Sequence, residues 1–248
     1  DPPYLKLNLN SPQVDLSKIT PLLPPDMQKK LTLSGKAKLE ANVDGYLKDI
    51  TTTSKAKLEL TDVTAQLASV KNPFGGINGE VQINPQGIHW KNLVFYYLGA
   101  RYASSGQLDD FKEPRLNFNL KSKDLNLETD IRTKDNVTQI NRLVGKFHDS
   151  DFIIKGNLKT QDMANPYADL NIKIGLHAED LPTLPFPSLA ESFKKINLGG
   201  MFAIKGTLRG PLKNYKDWAS SLKINSDSFS VYGYQFTNLS CPLEQSAG

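Results

Sequence analysis

The side chains able to do chemistry are few and scattered. The 248-residue chain holds three histidines, His89, His148 and His177, and one cysteine, Cys241. The histidines lie far apart, and none has a second ligand at helix or hairpin spacing, so no metal site is expected. His148-Asp149-Ser150-Asp151 contains the residue types of a catalytic triad. A triad joins distant segments so that base and nucleophile meet, and four consecutive residues do not supply that geometry. The run is read as a polar hairpin turn. Asn72-Pro-Phe-Gly-Gly76 bears glycines, but no helical pattern follows, so a β-turn is expected in place of a phosphate cradle. Cys241 precedes Pro242 with no base nearby and is read as an inert thiol. Asn136-Val-Thr138 and Asn238-Leu-Ser240 match the glycosylation pattern, which is frequent by chance. The sequence therefore predicts no catalytic residue, no metal and no cofactor, and the chain is not read as an enzyme.

Composition agrees with a folded domain. Apolar residues make up 39% and charged residues 23%, the balance of a chain that can bury a core. Thirty basic and 26 acidic residues give a net charge of +4. They are spread without like-charge blocks, which leaves no footprint for nucleic acid. A single cysteine cannot form an internal disulfide. No apolar run approaches the roughly 18 residues needed to span a bilayer as a helix. The sequence begins at Asp1 instead of Met, so a targeting or anchoring segment is expected to lie outside it.

The elements that must carry any function are strands. Leu5, Leu7 and Leu9 alternate with Lys6 and Asn8; Ala37, Leu39, Ala41 and Val43 alternate with Lys38, Glu40 and Asn42. The same period of two recurs at Leu58/Leu60, Val81/Ile83, Leu116/Phe118/Leu120, Leu170/Ile172/Ile174/Leu176, Phe202/Ile204 and Leu222/Ile224. Successive side chains of a strand point to opposite faces, so each strand has one apolar and one wet face, as in antiparallel sheets. Leu93-Val-Phe-Tyr-Tyr-Leu98 fits either a lipid-facing wall or a strand buried on both faces. At most three short helices are expected, with candidates at Pro25 to Lys30, Asn136 to Val144, and Ser188 to Lys195, the last with Ser188 as its cap and Glu191 at the capping-box position.

Internal similarity is the most informative feature. Pro3-Tyr-Leu-Lys-Leu-Asn-Leu-Asn-Ser11 resembles Pro114-Arg-Leu-Asn-Phe-Asn-Leu-Lys-Ser122, without gaps through Leu16/Leu127. Leu33 to Leu47 matches Leu198 to Leu212, beginning Leu33-Ser-Gly-Lys-Ala-Lys-Leu39 and Leu198-Gly-Gly-Met-Phe-Ala-Ile204, and both follow a Pro-rich segment, Thr20 to Pro25 and Leu181 to Pro187. Tyr102 to Leu108 matches Phe152 to Leu158. Recurring Gly35, Gly106, Gly156 and Gly200 are expected at turns or bulges. These matches divide residues 1–248 into a first unit at 1–113, a connecting partial unit at 114–165 and a second unit at 166–248. The second unit is expected to stop in mid-repeat, as in a piece of something longer.

Gly106-Gln-Leu-Asp-Asp-Phe-Lys-Glu-Pro-Arg-Leu-Asn-Phe-Asn-Leu-Lys-Ser122 followed by Asp124-Leu-Asn-Leu127 resembles a recurrent segment of the AsmA/TamB-like proteins of Gram-negative bacteria, and so does Leu198 to Gly210. The resemblance implies a mainly β fold: an elongated, curved antiparallel β-sheet, groove-like and repeat-built, with a few short helices. It implies a periplasmic protein anchored to the inner membrane. That protein would bind or conduct phospholipid or another acyl lipid between membranes and support outer-membrane homeostasis. An outer-membrane or periplasmic protein partner is also implied. The groove candidates in the first half are Leu5, Leu7, Leu9, Leu39, Ala41, Val43, Leu116, Phe118 and Leu120; those in the second are Ile172, Ile174, Phe202 and Ile204. The alternative is a structural scaffold for outer-membrane protein assembly, in which the same residues form the closed core of a β-sandwich.

Overall fold

A computed structural model describes residues 3–18, 21, 28–46, 53–160, 166–183, 187–212, 214 and 217–246. The fold is mainly β: within each of two units, antiparallel strands lie side by side in the order they take in the chain. The chain divides into two compact units, Asp1–Lys123 and Asp124–Gly248.

The first unit contains β1 (Tyr4–Asp15), β2 (Leu31–Tyr46), β3 (Lys55–Leu67), β4 (Phe74–Asn84), β5 (Gly87–Tyr97), β6 (Ala100–Asp109) and β7 (Arg115–Lys121). The second contains β8 (Leu125–Lys134), β9 (Val137–Phe147), β10 (Ser150–Lys159), β11 (Tyr167–His177), helix α1 (Pro187–Ile196), β12 (Gly199–Pro211), β13 (Ala219–Val231) and β14 (Tyr234–Gln245). Three hairpins close through two-residue turns with φ positive at both positions: Leu98-Gly99, Asp135-Asn136 and Tyr232-Gly233. This backbone twist matches that of the flanking strands.

Two helix expectations change. Asn136 to Val144 is not a helix; β9 runs through it. Asn136, at φ 59°, is the second residue of a hairpin turn. Ile131 faces Ile140 while Asp130 faces Arg142, so β9 carries one extra residue at Asn141. That bulge puts Ile140 and Leu143, three apart, on one face, while Val137 and Val144, spaced about Ile140 as on a helix, stand opposite Lys134 and Glu128 on the other face. The α1 expectation is met in place and length, but the helix starts at Pro187. Ser188 therefore lies inside the first turn, and proline takes the first helical position it suits. Most of Pro25 to Lys30 lies outside the described residues. The β-turn expected at Asn72 to Gly76 does not form there: Asn72 is in a bend and Phe74-Gly75-Gly76 already belongs to β4, while the turn lies earlier, with the Val70 N–H donating to the Leu67 carbonyl at 3.0 Å.

In each unit the densest packing sits where the connection after one strand folds back over the sheet. A 3-10 turn at Leu16–Lys18 puts Leu16 on Ala37, Val63 and Ile77, flanked by Leu33, Leu60, Phe74 and Phe95. In the second unit a 3-10 turn at Ala178–Thr183 brings Ala178 and Leu181 onto Phe202, with Phe193 of α1, Leu198 and Phe229 around them. Opposite each cluster a strand pair is bulged. Gly35 and Gly200 both sit at φ 106°, and a side chain there would meet backbone: Asp62 O at 2.7 Å for Gly35, Ser228 O at 2.6 Å for Gly200. Gly106 and Gly156 are equally closed to a side chain, with neighbouring backbone oxygens 2.5 and 2.1 Å from an added Cβ.

Gly35→Ala and Gly200→Ala are each expected to destabilise by about 2 kcal/mol or more, because strain and steric conflict act together. Gly75→Ala, with open space around the added methyl and no positive φ, is expected to change stability by less than about 1 kcal/mol. Urea unfolding of the three variants checks this.

Candidate functional site

Register makes the face. In the first unit each inward residue stands opposite another inward residue on the next strand. One row runs Leu9, Ala41, Ala56, Ile83, Ile88, Leu108, Leu116 across β1 to β7. The adjacent row runs Leu39, Leu58, Val81, Trp90, Gly106, Phe118. Gly106 leaves room for the Trp90 and Phe118 rings, whose centroids are 6.4 Å apart. The polar groups near them are satisfied: Trp90 Nε1–H donates to Ser104 Oγ at 3.0 Å, and Ser104 Oγ–H donates to the Asn119 carbonyl at 2.8 Å.

The second unit repeats the arrangement on its own strands. Leu127, Gly145, Phe152, Ile174, Ile204, Ile224 and Cys241 form one row across β8 to β14. Thr129, Leu143, Ile154, Ile172, Gly206, Leu222 and Leu243 form the next. Gly145 lies under the Phe152 ring as Gly106 lies beside Phe118.

The sequence-derived candidates fall on these faces but are covered to different degrees. Ile172 and Phe202 are buried; Leu5, Leu39, Ala41, Val43, Leu116, Phe118, Leu120, Ile174 and Ile204 are half-buried. Leu7 and Leu9, on a strand with one neighbour, are 47% and 45% exposed. Within each unit the strands belong to a single strand order, and among the described residues no second sheet covers the apolar face. The closed β-sandwich is therefore not formed within either unit. The Leu93 to Leu98 run is not buried on both faces either: Leu93 and Phe95 pack on the core while Tyr96 is exposed.

Sequence reading missed Trp90, Ile88, Leu108, Phe152 and Ile154 as members of the face. Trp90 and Ile88 flank His89 in too short an alternation, and Phe152 lies beyond a turn. Their partners across the ladder are the signal, and that signal needs the register.

The opposite face is polar. Asn10, Glu40, Lys57, Gln82, His89, Gln107 and Asn117 form its row in the first unit. Lys38 meets Glu40 at 2.7 Å, and Lys57 meets Glu80 at 2.9 Å. Such exposed pairs add little stability but fix which side faces water. Two shallow hollows of ≈ 360 Å³ are lined mainly by polar side chains such as Asn8, Asn42 and Lys55, or Arg132, Gln139 and Asn157.

The triad-like residue types are not brought together as a triad. His148 opens the β9–β10 turn at φ 52°, with Nδ1 3.5 Å from Asp124. Ser150 Oγ–H instead donates to Asp180 at 2.7 Å, and Ser150 Oγ accepts from the His177 backbone N–H at 2.9 Å. Asp180, buried and missed in the sequence, also accepts the amides of Ser150 at 2.8 Å and Asp149 at 3.1 Å. Burial pushes its carboxyl upward, but the three hydrogen bonds, helped by nearby His148, outweigh that and hold it below the usual aspartate range. Among the described residues no three His, Cys, Asp or Glu side chains converge on one point. No described helix is long and apolar enough to cross a membrane.

Comparison with protein-family models, curated proteins and solved structures gives no match for this chain.

The Asp180 clamp makes a pH prediction. Its folded pKa is lowered, so its contribution is fully present above the unfolded value of about 3.9 and is lost as pH falls through the folded value. Asp180→Asn is expected to destabilise by about 2 kcal/mol near pH 7. The gap to the parent should narrow below about pH 4. Paired urea titrations at neutral and acid pH measure it.

Proposed function

We propose that the apolar face of each unit binds acyl chains. On this reading the chain is part of a periplasmic AsmA-like protein that binds or conducts phospholipid between membranes. The observation that carries the reading is the run of apolar cross-strand rows over seven successive strands in each unit, left partly open to solvent. A sheet with one apolar face must cover it with another layer or a ligand. Each buried CH₂ contributes about 0.8 kcal/mol, so an acyl tail gains on the order of 10 kcal/mol on such a surface. A bilayer offers a similar gain. Transfer between the two is then nearly neutral, which suits a conduit and would spoil a trap. Sliding needs no directional polar contact, and the rows supply almost none. The inner-membrane anchor, the support of outer-membrane homeostasis and a periplasmic or outer-membrane protein partner come with the family resemblance and belong to the same proposal.

Phe118→Asp, Ile174→Asp and Leu9→Asp test it. Retention of a fluorescent phospholipid is expected to fall about tenfold or more in each, since a carboxylate among acyl chains is strongly disfavoured. The melting temperature of Leu9→Asp is expected to move by only a few degrees, because the site is already wet. Folded variants that retain lipid like the parent reject the face as a lipid site, and unfolding of both Phe118→Asp and Ile174→Asp assigns those two positions to packing.

A further inference from the structure

The β13–β14 turn is built from residues that a hairpin tip does not need. Its type of turn favours Asn, Asp or Gly at the first central position, where φ is positive. Tyr232 stands there at φ 52°, a bulky ring in a region such residues seldom adopt. The strain serves no core contact, because Tyr232 is 64% exposed and the following Tyr234 is 72% exposed. Phe236 continues the aromatic strip, stacking on Phe229 at 5.2 Å, and Phe229 meets buried Phe202 at 5.6 Å. The strip is thus anchored in the core and runs out into water at the tip.

The tip is also fixed in place. The Tyr232 backbone N–H donates to the Ile196 carbonyl at 2.9 Å, which ties the turn to the C-terminal end of α1. The last turn of α1 carries Lys194 and Lys195, both exposed. Of the acidic groups nearby, Glu179 accepts the Gly200 amide and Asp180 holds Ser150, leaving Glu191 as the acid on the helix. Two phenol rings, a phenyl ring and two ammonium groups therefore share one end of the second unit. Amphipathic rings settle at headgroup depth, and lysines extend to anionic phosphates. A protein interface is a poorer match, since lysine is depleted there.

We propose that the β13–β14 tip and the last turn of α1 form a contact site for the surface of an anionic phospholipid bilayer. The inference extends the proposed lipid handling, but the residues varied to test it, Tyr232, Tyr234, Lys194 and Lys195, stand outside the inward rows, so the two can fail separately. The full chain is mixed with vesicles of phosphatidylcholine alone or of phosphatidylcholine and phosphatidylglycerol in equal parts, and binding is read by flotation. Tyr232→Asn keeps a residue that the turn prefers, and Tyr234→Thr keeps a strand former. The pair is expected to fold like the parent, to bind the anionic vesicles about tenfold less, and to retain a single labelled phospholipid as the parent does. Lys194→Gln with Lys195→Gln is expected to lower binding to the anionic vesicles by about thirtyfold and leave binding to phosphatidylcholine unchanged. Tyr234→Trp should show blue-shifted emission on anionic vesicles and quenching by brominated lipid. The proposal is overturned if the parent does not bind the anionic vesicles, the result expected of a tip that serves a protein partner. It is equally overturned if the tyrosine variants bind like the parent, or if the introduced tryptophan stays in water.

Discussion

A slip of one residue in any strand pair would turn its leucines out to water and its lysines in, and this constraint organises both units. Side chains alternate with a period of two, so register and facing cannot be varied independently. Along β1 to β7 the partner of an inward residue is inward at every step, from Leu9 to Leu116. Each such pair contributes about 0.2–1 kcal/mol. Where a strand holds an extra residue, the ladder would lose phase. The bulges restore it, and glycine stands opposite because the displaced backbone occupies the space a Cβ would need. Asp62 and Asn92, at φ 50°, face Gly35 and Gly79 in this way.

The two faces solve opposite problems. The polar face is complete in water, with lysine and glutamate interleaved and the side-chain amides of Asn and Gln between them. The apolar face is finished only at one end of the strands. There Leu16 closes over Val63, and Leu181 and Phe193 close over Phe202. Elsewhere it remains half-covered, with leucines at the first strand almost as open as residues in a loop. The large rings lie beside glycines, Phe152 on Gly145 and Phe118 by Gly106, which keeps the surface smooth instead of ridged.

What the sequence could reveal follows from how far each signal reaches. Period-two alternation is local, so the strands around Leu39, Phe118 and Ile174 were legible, as was the facing of each within its own unit. Glycines at matched positions pointed to bulges because the requirement for no side chain is written in one residue. The stretch from Asn136 to Val144 misled, since Val137, Ile140 and Val144 keep helical spacing although Ile140 faces inward and the two valines stand opposite Lys134 and Glu128 on the other face. Trp90 escaped because it earns its place on the face through Gly106, on another strand. Asp180 escaped for a similar reason: its partner Ser150 lies thirty positions earlier in the chain, and its role exists only once the β9–β10 turn has been folded against the segment after β11. Contacts between distant segments are set by register, and register is not a property of any one segment.

Among the described residues of each unit, a strand pairs with the strands that precede and follow it in the chain. Five neighbouring pairs, β4–β5, β5–β6, β8–β9, β9–β10 and β13–β14, are joined by two-residue turns, so little loop entropy opposes their meeting. Order can therefore spread hairpin by hairpin, and a chain emerging from a narrow exit could lay down each strand on the one before. Loss of order spreads in the same way. Cooperativity is carried by nearest neighbours, as in stacked solenoids, and a strand with a single neighbour, such as β1, is held by one ladder alone. Melting then resembles unravelling from a selvage more than the collapse of a globule. The margin frays first while the weave behind it holds.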